Sequence, residues 1–433
     1  KKRWEKGRYR AMVIDYEESS EKVEKVLAGE LDLAAGELWP LIYYLIVMIR
    51  DPESDQEYID KSLILFEKML QKIDQDEDDD MQLVFEAAYN IIGWKGPVEK
   101  VLELMAEAKV DFTEPRYYER KLTNLRDYLL ENRLSIRLVA KLAELGVDLN
   151  EPLIKGRTPA FIVASKQRMV SWGSGPSKEE EYAKLSEEYF SVESMEALNA
   201  DGTSAAHEAV RRDHYELLEV MLKKGINVNV TEDQPYVAGN TMLMIACAYG
   251  FPKTVKMLMD AGADDSLINV EGETAAHMAV SIKVRFKEIS HDERVEMLKC
   301  LKTVDIPGKN GRTPLMEAQN YDLHASYKLT PVFIEKGADV NRADDKGNTA
   351  LMLHSEWYCD KEVFKAMVKA GYDINARNKA GNTVLHYAMK NGCSEVAVYL
   401  IKKGGDVNIA NEKQITPMQI AVENGMDEVL AFL

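Results

Sequence analysis

The chain has 433 residues, 46% apolar and 30% charged, with 55 basic against 73 acidic side chains and a net charge of −18. That balance excludes a disordered or low-complexity chain. Its acidic field argues against nucleic-acid binding and favours basic or apolar partners.

The first ten residues, KKRWEKGRYR, are basic but have no apolar stretch behind them, so they are not a secretory signal. The chain does not begin with Met, and any leader would lie outside it. The longest apolar run, 38–49, includes Pro40 and falls short of the roughly 20 residues of a bilayer span. It predicts a buried helix paired with 58–73, and no membrane insertion is expected. DQDEDDD (74–80) is almost wholly acidic. A calcium loop would need Gly at its sixth place and Glu at its twelfth. Asp79 and Phe85 stand there, so the run reads as an acidic linker. Residues 82–94 predict another apolar helix. Residues 98–112 and 136–150 share a pattern of amphipathic helix and exit, with Lys109 where Gly146 stands 37 residues later.

From residue 150 onward one pattern recurs. Gly-x-Thr and an apolar run appear as GRTPAFIVA, GTSAAHEAV, GNTMLMIAC, GETAAHMAV, GRTPLMEAQ, GNTALMLHS and GNTVLHYAM, with QITPMQIAV as a last, Gly-less copy. The third positions are Thr158, Ser204, Thr241, Thr274, Thr313, Thr349, Thr383 and Thr416, at spacings of 46, 37, 33, 39, 36, 34 and 33. A hydroxyl there can cap a helix. Pro159, Pro314 and Pro417 follow where a missing N–H costs nothing. A second signature, such as VFIEKGADVN or YLIKKGGDVN, ends a helix at Gly and turns the chain back through Asp and Asn. One such helix pair cannot bury its apolar face alone, so neighbours must stack.

Together these motifs resemble the ankyrin repeat, whose pattern is Gly-x-Thr-Pro-Leu-His with a Gly-Ala-Asp-Val-Asn exit, over about residues 150–433. The resemblance implies an all-α fold: a solenoid of helix pairs with short β-turn fingers, the first helices and fingers lining a concave face. The motif His stands at His207, His277 and His386, where it is expected to bond a neighbouring unit's backbone. Phe161, Met244, Met316, Met352 and Gln419 replace it elsewhere. Residues 113–433 are assigned to the array, and 1–112 to a helical cap of degenerate ankyrin-like pairs. A distinct helical domain ending near residue 112 is the alternative. The loop 171–177, with Trp172, is expected to be exposed and cut first by proteases. A long finger around Tyr236 is a further departure, and the last unit stops inside its second helix, as a cap or a truncation.

His207-Glu208 opens like a zinc-protease helix, but Arg211 holds the fifth place. Gly173-Ser174-Gly175 lacks the GK[ST] of a phosphate loop, and no Gly-x-Ser-x-Gly elbow occurs. No catalytic residue, metal or cofactor is expected. The four cysteines, spaced by 53, 59 and 34, include no CxxC pair and predict no disulfide framework, hence a reducing, cytoplasmic setting. The resemblance also implies that the two places after each first helix's small-residue pair face ligands. On this chain they bring Tyr249, Tyr321 and Trp357 to matching places in three units, with Arg211 and Arg212 as a local positive pair. Tyr236 and Trp172 are further candidates. The function expected is a non-catalytic scaffold, adaptor or inhibitor: a monomer that binds another protein, of basic character. An enzyme or effector activity in the N-terminal helical region is the alternative.

Overall fold

In the computed structural model the described residues are 16–48, 56–73, 78–93, 97–112, 115–118, 121–154, 156–166, 178–233, 239–281, 289–321 and 323–433. The chain divides into two compact units, residues 1–163 with 188–194, and residues 164–187 with 195–433.

The first unit opens with α1 (Tyr16–Leu27), α2 (Ala35–Met48), α3 (Gln56–Leu70), α4 (Asp78–Gly93) and α5 (Val98–Glu107). A small antiparallel hairpin follows, β1 (Arg116–Tyr118) and β2 (Lys121–Thr123), with Arg116 opposite Thr123. Then come α6 (Leu125–Arg133) and α7 (Ile136–Glu144). The apolar run forms α2, which packs on α3 and α4 and buries Leu38, Ile42 and Leu45. Helix α4 places Phe85 and Tyr89 fully inside, and Tyr89 meets Tyr128 edge to face at 4.7 Å. Helices α5 and α7 touch, as second helices of successive pairs would. Their exits match as well: Lys109 adopts φ 58° where Gly146 adopts φ 79°. The hairpin was not legible in the sequence, because three-residue strands leave too short an alternation to detect.

Three short helices, α8 (Pro159–Ser165), α9 (Lys178–Tyr189) and α10 (Val192–Glu196), lie where the division runs. The second unit then repeats helix pairs: α11 (Ala205–Arg211) with α12 (Tyr215–Lys223), α13 (Met242–Tyr249) with α14 (Pro252–Asp260), and α15 (Ala275–Val280) with α16 (His291–Cys300). It continues with α17 (Pro314–Tyr321) and α18 (Leu323–Glu335), α19 (Ala350–Trp357) and α20 (Lys361–Lys369), α21 (Val384–Lys390) and α22 (Ser394–Lys402), and α23 (Pro417–Glu423) and α24 (Asp427–Leu430). First helices pack on first helices, from α11 through to α23. Second helices stack in parallel from α14 to α24. The stacked faces are small and apolar: Ala205, Ala206, Ala275, Ala276, Leu351, Val384 and Leu385 are all essentially inaccessible. This is the all-α solenoid of helix pairs that the motifs imply.

Left-handed residues punctuate each unit. Gly225, Gly262, Gly337, Gly371 and Gly404 end the second helices at φ between 81° and 97°. In the last finger Gln414 takes φ 57°, where the matching Gly347 and Gly381 have 78° and 76°. A Cβ in that region costs about 1 kcal/mol or more, partly offset by the freer unfolded chain of glycine. Gln414→Gly is therefore expected to stabilise the last unit by up to about 1 kcal/mol, read from the denaturation midpoint. A lower midpoint would contradict the strain.

Candidate functional site

The face built by the first helices and their fingers starts from the caps. The side chains of Thr158, Ser204, Thr241, Thr274, Thr313, Thr349 and Thr416 each accept a hydrogen bond from the backbone N–H three residues on, as at Thr241 from Met244 (3.2 Å). The motif histidines complete the box. Nδ1 of His277 and of His386 accepts from the backbone N–H of Thr274 (3.1 Å) and of Thr383 (2.9 Å). Nε2 must then carry the proton, and it donates across to the next finger: His207 to the Val230 carbonyl (3.1 Å), His277 to Arg312 (3.0 Å) and His386 to Ile415 (3.1 Å). At Thr383 the hydroxyl meets the His386 ring at 3.0 Å. Gln419 reproduces half of the device, its side-chain oxygen accepting from Thr416 N–H at 2.8 Å. The Met residues at this place reach no following finger in this way, since a thioether has no proton to donate.

Five fingers, those at Asn199, Asn269, Asp344, Asn378 and Asn411, close on a side-chain carboxamide or carboxylate oxygen, whereas Leu153, Glu232 and Gly308 hold that place in others. Asn269 Oδ1 accepts from the N–H of Glu271 and Glu273, Asp344 Oδ1 from Lys346 and Asn348, and Asn378 Oδ1 from Ala380 and Asn382. Neighbouring fingers bond to one another. The N–H of Lys379 donates to the Lys346 carbonyl at 2.9 Å, and Asn378 Nδ2 to Asn348 Oδ1 at 2.7 Å. A polar cleft of about 550 Å³ opens among the fingers around residues 271–346. Glu271, Glu273, Glu317, Asp344 and Asp345 line it against Lys309, Arg312 and Lys346, leaving an excess of acid. Arg312 sits between Glu317 (3.6 Å) and Asp344 (3.9 Å).

Tyr249, Tyr321 and Trp357 are the last residues of α13, α17 and α19, each eight places after its capping threonine. Each of the three therefore ends the first helix of its unit. Trp357 is 66% exposed. Tyr249 is half-buried: its ring stacks on Phe251 at 5.9 Å, beside the Arg211 guanidinium. The Tyr321 side chain, Tyr236, Trp172 and the loop 171–177 lie outside the described residues. The same helix-end place is filled differently in the last two units. There Asn391 Nδ2 donates to the Ser355 and Glu356 carbonyls (2.6 and 2.7 Å), and Asn424 Nδ2 to Met389 (3.0 Å), tying each unit to the one before.

Arg211 and Arg212 are not the uncompensated positive pair expected. Arg211 pairs with Glu232, which is almost wholly buried, and lies 3.8 Å from Glu208. Arg212 Nε donates to Glu208 at 2.8 Å. Glu208 lies one turn back on the same helix, whereas Glu232 lies in the following finger, and only stacking could reveal its part in this compensation. Sequence reasoning also missed Ile268 and Val270, which stand 58% and 65% exposed on one finger. Nothing in their pattern separates them from core residues.

The cysteines correct a second expectation. Cys359 and Cys393 form a disulfide, with Cα atoms 5.6 Å apart. Each lies ten residues after its unit's capping threonine, so the spacing of 34 is one repeat. Cys247 is fully buried, and burial pushes its thiol up. Among the described residues, no cluster of three His, Cys, Asp or Glu could hold a metal ion, and no helix is long and apolar enough to cross a membrane.

Comparison with known proteins agrees with this geometry. Residues 204–259 and 353–433 match models of ankyrin repeats, described as many copies and three copies. A putative ankyrin repeat protein of Acanthamoeba polyphaga mimivirus is 25% identical over 209 residues, 48% of this chain and 26% of that protein. The E3 ubiquitin-protein ligase KEG of Arabidopsis thaliana is 26% identical over 271 residues, 46% of this chain and 17% of that one. The chain thus spans about a quarter or less of these relatives. The solved ankyrin repeat domain of Bcl-3 aligns with a TM-score of 0.44 and 22% identity, over 53% of this chain and 99% of that domain. Capped first helices, histidines bonded to the next finger, left-handed exits and the two model matches identify ankyrin repeats in residues 204–259 and 353–433.

Proposed function

We propose that the chain is a non-catalytic protein–protein interaction scaffold, adaptor or inhibitor, and that the face of first helices and fingers in residues 195–433 takes the partner. One observation carries this reading: Trp357 stands largely exposed at the helix-end place shared by Tyr249 and Tyr321. A large ring held in water gains most from a partner that covers it, which is why such residues dominate binding energy. Preformed fingers and helices lose little entropy on association. The excess acid of the finger cleft supports a partner segment with a basic side chain beside an apolar centre. In the same reading residues 1–112 serve as a helical cap, residues 113–433 as the array, and the protein works as a cytoplasmic monomer. Arg211 and Arg212, engaged with glutamates, form the rim and set Tyr249 in place. Tyr236 and Trp172 complete the proposed contact set.

The test isolates the partner by pull-down from source lysate, then compares variants. Replacing Tyr249, Tyr321 and Trp357 with Ala is expected to weaken the partner at least tenfold, about 1.4 kcal/mol or more. The thermal midpoint should move little. Unchanged affinity would place the contact surface elsewhere, and unfolding of the triple variant would mean that the rings serve the core.

A further inference from the structure

We propose that Cys359 and Cys393 form a reversible thiol-exchange site, in which Cys359 is the point of attack and Cys393 the resolving thiol, and that its redox state sets how firmly the last two repeats are coupled to the array.

The two residues occupy one structural place in consecutive units, the connection from first to second helix. Other units fill that place without covalent means. His214 Nε2 donates to the Lys166 carbonyl at 2.8 Å, and Phe251, Leu323 and Met426 hold it elsewhere. The pair is asymmetric: Cys359 is exposed, whereas Cys393 is 4% exposed. Exchange follows access, so an incoming thiolate reaches Cys359. Cys393 is the N-cap residue of α22, where a departing thiolate faces the positive end of the helix. At the same seam Asn391 already bonds the Ser355 and Glu356 carbonyls. Opening the disulfide therefore leaves a noncovalent junction, not an unfolded chain. In a stack where each unit touches only its neighbours, junction strength governs how independently the terminal units open.

The reactant class is a low-molecular-weight thiol with its disulfide. A thiolate RS⁻ attacks the Cys359 sulfur, the bond between Cys359 and Cys393 breaks, and Cys393 leaves as a thiolate that takes a proton from water. A second RS⁻ attacks the outer sulfur of the mixed disulfide, releasing RSSR and the Cys359 thiolate, which is protonated in turn. In sum, the protein disulfide and two RSH give two cysteine thiols and RSSR. Oxidation runs the same steps backwards, with Cys393 resolving the mixed disulfide on Cys359.

The probe is glutathione, reduced and oxidised, applied to the full chain, with adducts located by peptide mass spectrometry. Wild type reduced and then given oxidised glutathione should end with the internal disulfide and no lasting adduct at either residue. Cys393→Ser should retain one glutathione at Cys359. Cys359→Ser should be modified at Cys393 at least tenfold more slowly. Amide exchange over residues 384–433 should quicken at least tenfold on reduction, with residues 204–259 unaffected. A lasting adduct at Cys359 of wild type, equal rates at the two cysteines, or equal exchange protection in both redox states would each overturn the proposal.

Discussion

Between pH 7 and pH 5 the stability of residues 195–433 is expected to fall by at least about 4 kcal/mol. Four imidazoles cause this. His207, His277, His354 and His386 are buried, and burial holds all four below the usual histidine value, His207 and His354 down to about 4. Geometry gives an independent reason at the motif positions. Nδ1 accepts a hydrogen bond from the cap residue's N–H there, so a second ring proton would break the box. His354 is worse placed: it is inaccessible, neither ring nitrogen has a protein partner, and Tyr358 and Phe364 flank it with ring centres 5.6 Å away. The unfolded chain binds these protons near pH 6.5, whereas in the folded chain His207 and His354 bind theirs only near 4, and burial holds His277 and His386 below the usual value. Stability is therefore complete above 6.5 and is lost as the pH falls towards 4. At pH 5, His207 and His354 contribute on the order of 2 kcal/mol each, and His277 and His386 add loss of the same sign. Denaturant titration at the two pH values measures the loss. His354→Leu should reduce it by about 2 kcal/mol and cost nothing at pH 7, since an unpaired polar group leaves the core. An unaltered pH slope in that variant would refute the assignment.

Gly347→Ala is expected to destabilise the array by about 3 kcal/mol. The glycine sits at φ 78°, and an added Cβ would lie 2.8 Å from Lys379 N and 3.0 Å from the Asn378 Cα, both backbone of the next finger. It would press on the very N–H that bonds the Lys346 carbonyl. Gly337→Ala is the matched control. Its φ is 81°, but nothing lies within 4 Å of the new Cβ. Only the left-handed backbone penalty of about 1–2 kcal/mol applies there. The difference between the two variants, read from denaturation midpoints, measures the packing of finger on finger. Equal losses would mean that the fingers stand apart in solution.

What the sequence by itself determined is local. Caps, box histidines and glycine exits are specified by residues three or four apart, because backbone dihedrals and capping bonds are settled within a turn of helix. That is why the eight capping positions, the proline starts and the exit at Lys109 were legible. That the motif histidines bond a neighbouring unit's backbone followed as well, and the stack decided that the partner is the next finger. The tertiary stack decided the rest. It set Glu232 against Arg211 and cancelled a charge pair that looked uncompensated. The stack also gave Asn391 the place held by Trp357 one unit earlier, turning a ligand-facing position into a junction. Cys359 and Cys393 came within bonding distance because one repeat of chain separates them and the stack returns each unit to the same height. The physical reason is common to all three. A linear pattern fixes what a residue does to its own backbone, but its partner across the seam depends on how adjacent units are offset when their apolar faces close.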